Sequence, residues 1–124
     1  MIKYILMLSL VWPLMLMSEE SVPRYLYKVL SVENWKASQA TPALQLSEED
    51  RDFIHLAKED QLERIISKYW ANVPEYVILK LDPSKLPGRL VYEANPGGSN
   101  KYYHLYEGSI PRQAVIDAKV VRIN

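Results

Sequence analysis

Apolar positions change period several times along the chain, and each period predicts an element. Arg24-Tyr25-Leu26-Tyr27-Lys28-Val29-Leu30 is a run of strand formers. Ser31 stands where a helix N-cap belongs, ahead of a predicted helix over 32–40 that carries Trp35 and ends at Thr41-Pro42. Residues 43–50 read as irregular, with Ser47-Glu48-Glu49-Asp50 as a single helical turn. Phe53-Ile54-His55-Leu56 is a short second strand. From Lys58 to Trp70 the spacing turns helical: Leu62, Ile65, Ile66, Tyr69 and Trp70 form one apolar stripe. Glu59, Asp60 and Glu63 near its start suit the helix dipole.

Tyr76-Val77-Ile78-Leu79-Lys80-Leu81 is a continuous apolar run, the mark of a central strand. Asp82-Pro83 opens one turn of helix, with the acid as cap and proline at the first helical position, and Pro87-Gly88 ends it. Arg89 to Glu93 reads as a strand, 95–100 as a Pro-Gly-Gly loop and Tyr102 to Tyr106 as extended chain. Gly108 turns the chain, 111–116 reads as a short helix and 118–123 as the last strand. Five or six short strands with one or two helices predict an α+β fold built on a small, split, mixed β-sheet. The strict strand–helix alternation of a doubly wound fold is missing.

The first eighteen residues differ in kind. Lys3, the apolar stretch from Tyr4 to Met17 and the polar step Ser18-Glu19-Glu20 follow the plan of a secretory signal peptide. The stretch is shorter than the roughly 20 residues that cross a bilayer as a helix. Leu16-Met17-Ser18 is a poor cleavage site, and no cysteine follows that could carry a lipid. The expected organisation is a signal peptide or short apolar leader over 1–18 and a single domain over 19–124. Localisation follows the leader. The domain is periplasmic or secreted if the leader is cut, membrane-anchored if it is not, and cytoplasmic if the segment is no export signal.

The 124 residues suffice for one domain. A formal net charge of zero gives no reason to expect nucleic acid as a partner, and loss of Lys3 with the leader shifts the balance only one unit negative. The absence of cysteine excludes disulfides, thiolate catalysis and sulfur-ligated metals. Membrane contact is expected only through the leader.

Candidate chemistry comes from titratable groups set in core-like runs, since a buried polar group must be paired or put to use. Lys28 shares a strand face with Leu26 and Leu30. It is either an edge-strand lysine snorkelling to water or a cation lining an anion pocket. His55 shares a face with Phe53. It is either a structural histidine bonded to backbone or a ligand hydrogen-bonder and general acid–base, a role suited to imidazole because it changes charge near neutral pH. Glu93 ends its strand beside the Pro-Gly-Gly loop, either as a surface carboxylate or as an acid that holds a ribose hydroxyl or a developing cation. His104 shares a face with Tyr102 and Tyr106, which either pack a curved sheet or form one wall of an aromatic pocket. The two histidines and Glu93 lack the paired spacing of metal ligands, so no metal is expected. Gly97-Gly98-Ser99-Asn100-Lys101 has the wrong order and spacing for a phosphate loop. No nucleophile elbow surrounds Ser99.

In these same residues the chain resembles a family of small bacterial proteins, the domain of unknown function 952, from about Tyr25 to Val121. Tyr27-Lys28-Val29, Asp52-Phe53-Ile54-His55-Leu56, Leu90-Val91-Tyr92-Glu93 with Gly97-Gly98, and Tyr103-His104-Leu105-Tyr106 with Ile110-Pro111 and Ala114-Val115 match its motifs in order. Ala57 replaces the usual serine, Arg51-Asp52 an acid–glycine pair, and Tyr103 a proline, while Glu107 intervenes before Gly108. The family is grouped with the ADP-ribosyltransferase fold, in which a cleft between two sheet halves holds NAD. The resemblance implies that Glu93 and His55 are catalytic, Glu93 stabilising positive charge and His55 meeting ribose or base. It also implies that Lys28, His104 and Tyr106 bind the cofactor, NAD or a related nucleotide. The leading expectation is therefore a cleft for a small nucleotide or NAD-type ligand, with ADP-ribosyltransferase-like activity as its sharper form. The alternative is an exported, non-catalytic interaction module with structural histidines. A hydrolase using His55 or His104 as base ranks third.

Overall fold

A computed structural model describes residues 21–123. The expected leader over 1–18 lies outside the described residues, and among these no helix is long and apolar enough to cross a membrane. Among the described residues, six strands form two three-stranded sheets. The first has the order β1-β3-β6, from Leu26–Ser31, Glu75–Leu81 and Val115–Arg122. The second has the order β2-β5-β4, from Ile54–Leu56, Lys101–Tyr106 and Arg89–Ala94. The α+β class and the split sheet follow the sequence pattern. The mixed character does not: every pairing within the sheets is antiparallel.

The sheets share one core. Alternation turns Leu26 and Leu30 of β1 and Val77, Leu79 and Leu81 of β3 toward Ile54, Leu56, Tyr103 and Leu105 of the second sheet, with Leu44 and Ile110 filling the join. Truncating a fully buried leucine such as Leu79 in such a core costs about 2–5 kcal/mol. Two backbone hydrogen bonds stitch the sheets together: Tyr27 N–H to Ala57 O at 2.8 Å and Ala57 N–H to Tyr27 O at 2.9 Å. They carry β1 past the end of β2 and bring Lys28 close to His55.

Two helices of the described residues flank the sheets. Helix α1, Val32–Ser38, starts where Ser31 Oγ accepts the Asn34 N–H at 3.0 Å, as the sequence predicts. It stops two residues before Ala40. The buried Ser38 hydroxyl donates back to Asn34 O and accepts the Gln45 N–H, which turns the chain out of the helix. Helix α2, Leu62–Tyr69, follows a 3-10 turn over Glu59–Gln61, so the predicted helix begins as a tighter coil. Its apolar stripe is not core: none of its residues is buried, and Tyr69 is 59 % exposed.

The C-terminal part corrects the sequence reading most. Only Arg112–Ala114 is helical, as a single 3-10 turn, and β6 starts at Val115 rather than Ala118. A register shift between Lys80 and Leu81 admits the extra residue, so β-branched Val115 and Ile116 join the strand.

Candidate functional site

Three strands place the polar groups. Pairing of β5 with β2 sets His104 opposite His55, and pairing with β4 sets His104 opposite Val91, Tyr102 opposite Glu93 and Tyr106 opposite Arg89. Opposed residues share a face, so both histidines, Glu93 and Tyr106 lie together on the side of this sheet away from its leucines.

They resolve into two networks that meet where the His55 and His104 rings stand edge to face at 5.4 Å, with Phe53 packed against both. In the first, one carboxylate oxygen gathers three donors. Asp50 Oδ1 lies 2.8 Å from Lys28 Nζ, 3.0 Å from His55 N and 3.1 Å from His55 Nδ1. Lys28 Nζ donates also to the His55 carbonyl at 2.9 Å. The Lys28 and Asp50 side chains are 8 % and 4 % exposed, so the ion pair is buried. Burial works to raise the Asp50 carboxyl, but the His55 ring, the Lys28 charge and the remaining donors outweigh it and hold its pKa at about 2. Burial lowers Lys28 from the ordinary lysine range, and Asp50 offsets part of that shift. An ionised carboxylate can only accept, so His55 Nδ1 carries the proton. Nε2 has no partner among the described residues, on a ring that is 39 % exposed.

The second network centres on His104, which is fully buried. Its Nδ1 lies 2.8 Å from Glu93 Oε2 and its Nε2 2.8 Å from Asn95 Oδ1. The Tyr106 hydroxyl donates to the same Glu93 oxygen. These hydrogen bonds from Tyr106 and His104 lower the Glu93 pKa, and the bond to Glu93 raises that of Tyr106. The Phe53 ring stacks on His104 at 4.1 Å between centroids and also touches the rings of His55 at 4.8 Å and Tyr106 at 5.2 Å.

A groove of about 550 Å³ runs beside the first network. Its walls include Lys28, Asp50 and His55, the α2 side chains Arg64, Ile65 and Lys68 with Tyr69 and Trp70, and the loop Asn95–Asn100 with Tyr102. Here part of the apolar stripe finds its use: Ile65, Tyr69 and Trp70 line the groove instead of the core. Of the five predicted site residues, Lys28 and His55 line the groove. Glu93, His104 and Tyr106 stand together behind Phe53, outside the groove wall. His104 still reaches the groove through Asn95, which anchors the start of the glycine loop. Lys28 does not snorkel; its amine is bonded inside the protein.

The sequence reading missed Asp50, Phe53, Asn95, Arg64 and Lys68. For Asp50 there was a signal. A lysine between two leucines demands an acid partner, although nothing in the pattern says which of the acids supplies it. Arg64 and Lys68 look like any exposed helix cations, and only the groove distinguishes them.

A family described as protein of unknown function (DUF952) matches residues 29–118. The chain is similar to the X-ray crystal structure of protein CC0527 from Caulobacter crescentus, at 26 % identity and a TM-score of 0.69, covering 81 % of this chain and 88 % of that one. It is likewise similar to the solution NMR structure of CC0527, at 26 % identity and a TM-score of 0.70, over 82 % and 88 % of the two chains. No curated protein matches it.

Proposed function

The chain belongs to the DUF952 family, of unknown function, and from that premise we propose that its groove binds a small phosphorylated ligand of the nucleotide or NAD type. One observation carries the reading: Asp50 fixes the His55 ring by Nδ1 and leaves Nε2 available on the wall of a groove of about 550 Å³. That volume lies in the range of small-molecule sites. A histidine whose tautomer is set by a buried carboxylate is a preorganised acceptor for a hydroxyl proton.

The rest of the lining suits the same ligand. Arg64 and Lys68 supply positive charge for phosphate from one side, and the loop around Gly97 and Gly98 supplies exposed backbone from the other. Trp70 and Tyr102 offer ring faces for a base. Arg64 and Lys68 take the phosphate-attracting part that the family resemblance gave to Lys28, because the Lys28 amine already serves Asp50 and the His55 carbonyl.

Transferase-like activity, the sharper form, needs the ligand to reach past Phe53 to Glu93, which lies outside the groove wall. Its side chain is 36 % exposed while two donors lower its pKa, so it offers negative charge near the surface. Release of nicotinamide from NAD by the wild type and its loss in Glu93→Gln is the expected result. Undiminished release by that variant removes Glu93 from the role.

Thermal melting of the full chain with NAD, ADP-ribose and inorganic phosphate tests the binding reading, because a ligand of the native state raises the melting temperature by mass action. A saturable rise with ADP-ribose or NAD, reduced in His55→Gln, supports it. A flat response to all three, with calorimetry also silent, overturns it.

A further inference from the structure

Strand β6 is an open edge. Among the described residues it pairs with β3 and with no strand on its other side. It is eight residues long. Three of the five exposed large apolar side chains among the described residues belong to it or follow it directly: Ile116 at 50 %, Val120 at 43 % and Ile123 at 49 % exposed. A long apolar edge is a template for pairing with another strand unless something blunts it. Lys119, exposed in the middle, is the side chain that would do so.

The charge pattern shows what Lys119 can face instead. Residues directly opposed across antiparallel strands point to the same side of the sheet. A two-fold axis between two copies of β6 must therefore set one residue opposite its own counterpart. With Asp117 at the centre, acid faces acid; with Lys119 at the centre, lysine faces lysine. With Ala118 at the centre, Asp117 of each copy faces Lys119 of the other and Ile116 faces Val120, each pair occurring twice, and the pairing ends at the bulge before Val115. A parallel arrangement in register would oppose like charges throughout.

We infer that β6 is a self-association edge whose occupant is a second copy of this chain, paired antiparallel about Ala118. The result is a continuous six-stranded sheet in the order β1-β3-β6-β6-β3-β1. The edge lies on the other sheet from β2, β4 and β5, and no β6 residue lines the ligand groove, so the inference stands apart from the proposed function. A single strand edge buries less than the ~1,000 Å² of a standing interface, so the dimer forms as concentration rises.

Sedimentation of the full chain over a wide concentration range tests this, with thermal melting to show that each variant is folded. The wild type is expected to pass from monomer to dimer. Lys119→Asp opposes two acids twice and should weaken the dimer about tenfold, the size expected for reversing two cross-strand pairs. It is also the gentler change within one copy, because Lys119 faces Ile78 there whereas Asp117 faces Lys80. The exchanged variant Asp117→Lys with Lys119→Asp restores opposite charges and should recover most of the loss. A wild type that stays monomeric, an association indifferent to Lys119→Asp, or an exchanged variant as weak as the single one overturns the inference.

Discussion

The Phe53 ring lies flat on the His104 ring, with centroids 4.1 Å apart and planes 27° from parallel. That ring packs against both polar networks, which also meet directly where the His55 and His104 rings stand edge to face at 5.4 Å. On one side His55 faces the groove under the control of Asp50, and on the other His104 is sealed between Glu93 and Asn95. Phe53 is half-buried, so Phe53→Ala should cost about 1–3 kcal/mol, less than truncation of a fully buried ring. Urea unfolding gives the value. Faster hydrogen exchange at the His104 amide would show that water has reached the second network.

The Lys28–Asp50 pair predicts an asymmetry. Asp50→Ala leaves a buried ammonium without its acid and should cost about 3–5 kcal/mol. Lys28→Met with Asp50→Ala removes both charges, so the double variant should be more stable than Asp50→Ala alone. Denaturant midpoints for the two variants decide it. Equal or additive losses would show that the two charges are not coupled.

Acid should unfold the protein through the same carboxylate. Asp50 has a folded pKa of about 2 against an ordinary value of 3.8. Its contribution is present above the ordinary value and is lost as pH falls toward the folded one. That difference amounts to about 2 kcal/mol, disappearing between about pH 4 and pH 2. Stability of the wild type against pH should show this loss, and Asp50→Asn should lack it.

Much of this arrangement was legible in the sequence. The runs around Val77, Val91 and His104 are bounded by proline and glycine, and each became a strand near its expected limits. Placing His104, Tyr106 and Glu93 on one side needed only strand alternation and their eventual pairing. What escaped depends on pairing across long gaps. Asp50 lies 22 residues from Lys28, and nothing local marks it as the lysine's partner. The all-antiparallel order rests on which strands meet, which periodicity does not encode. The α2 stripe has the spacing of a core face, yet part of it borders a groove, because periodicity records an apolar side and not what covers it.

The glycine at position 88 lets the chain entering β4 approach the end of β5 closely. It has φ +119°, and a Cβ there would lie 2.6 Å from the Tyr106 carbonyl oxygen and 2.8 Å from the Gly108 Cα. Gly88→Ala should cost roughly 1–3 kcal/mol from backbone strain alone, with the clash added. A melting temperature equal to that of the wild type would contradict this close approach of β4 to the end of β5.

Asn95 ties the buried network to the groove. Asn95→Ala removes the partner of His104 Nε2 and frees the start of the glycine loop. Its expected signature is weaker ligand binding, by about tenfold for one lost anchor of about 1–2 kcal/mol, along with faster hydrogen exchange confined to residues near 95–100. Unchanged binding would mean that the loop needs no anchor.

The most direct measurement is an amide NMR titration of the full chain with ADP-ribose. Saturable shifts gathered on His55, Arg64, Gly97, Gly98 and Tyr102, and lost in His55→Gln, are predicted. A spectrum unmoved at high ligand concentration, or shifts confined to residues away from the groove, would contradict the claim that Asp50 holds His55 ready for a guest.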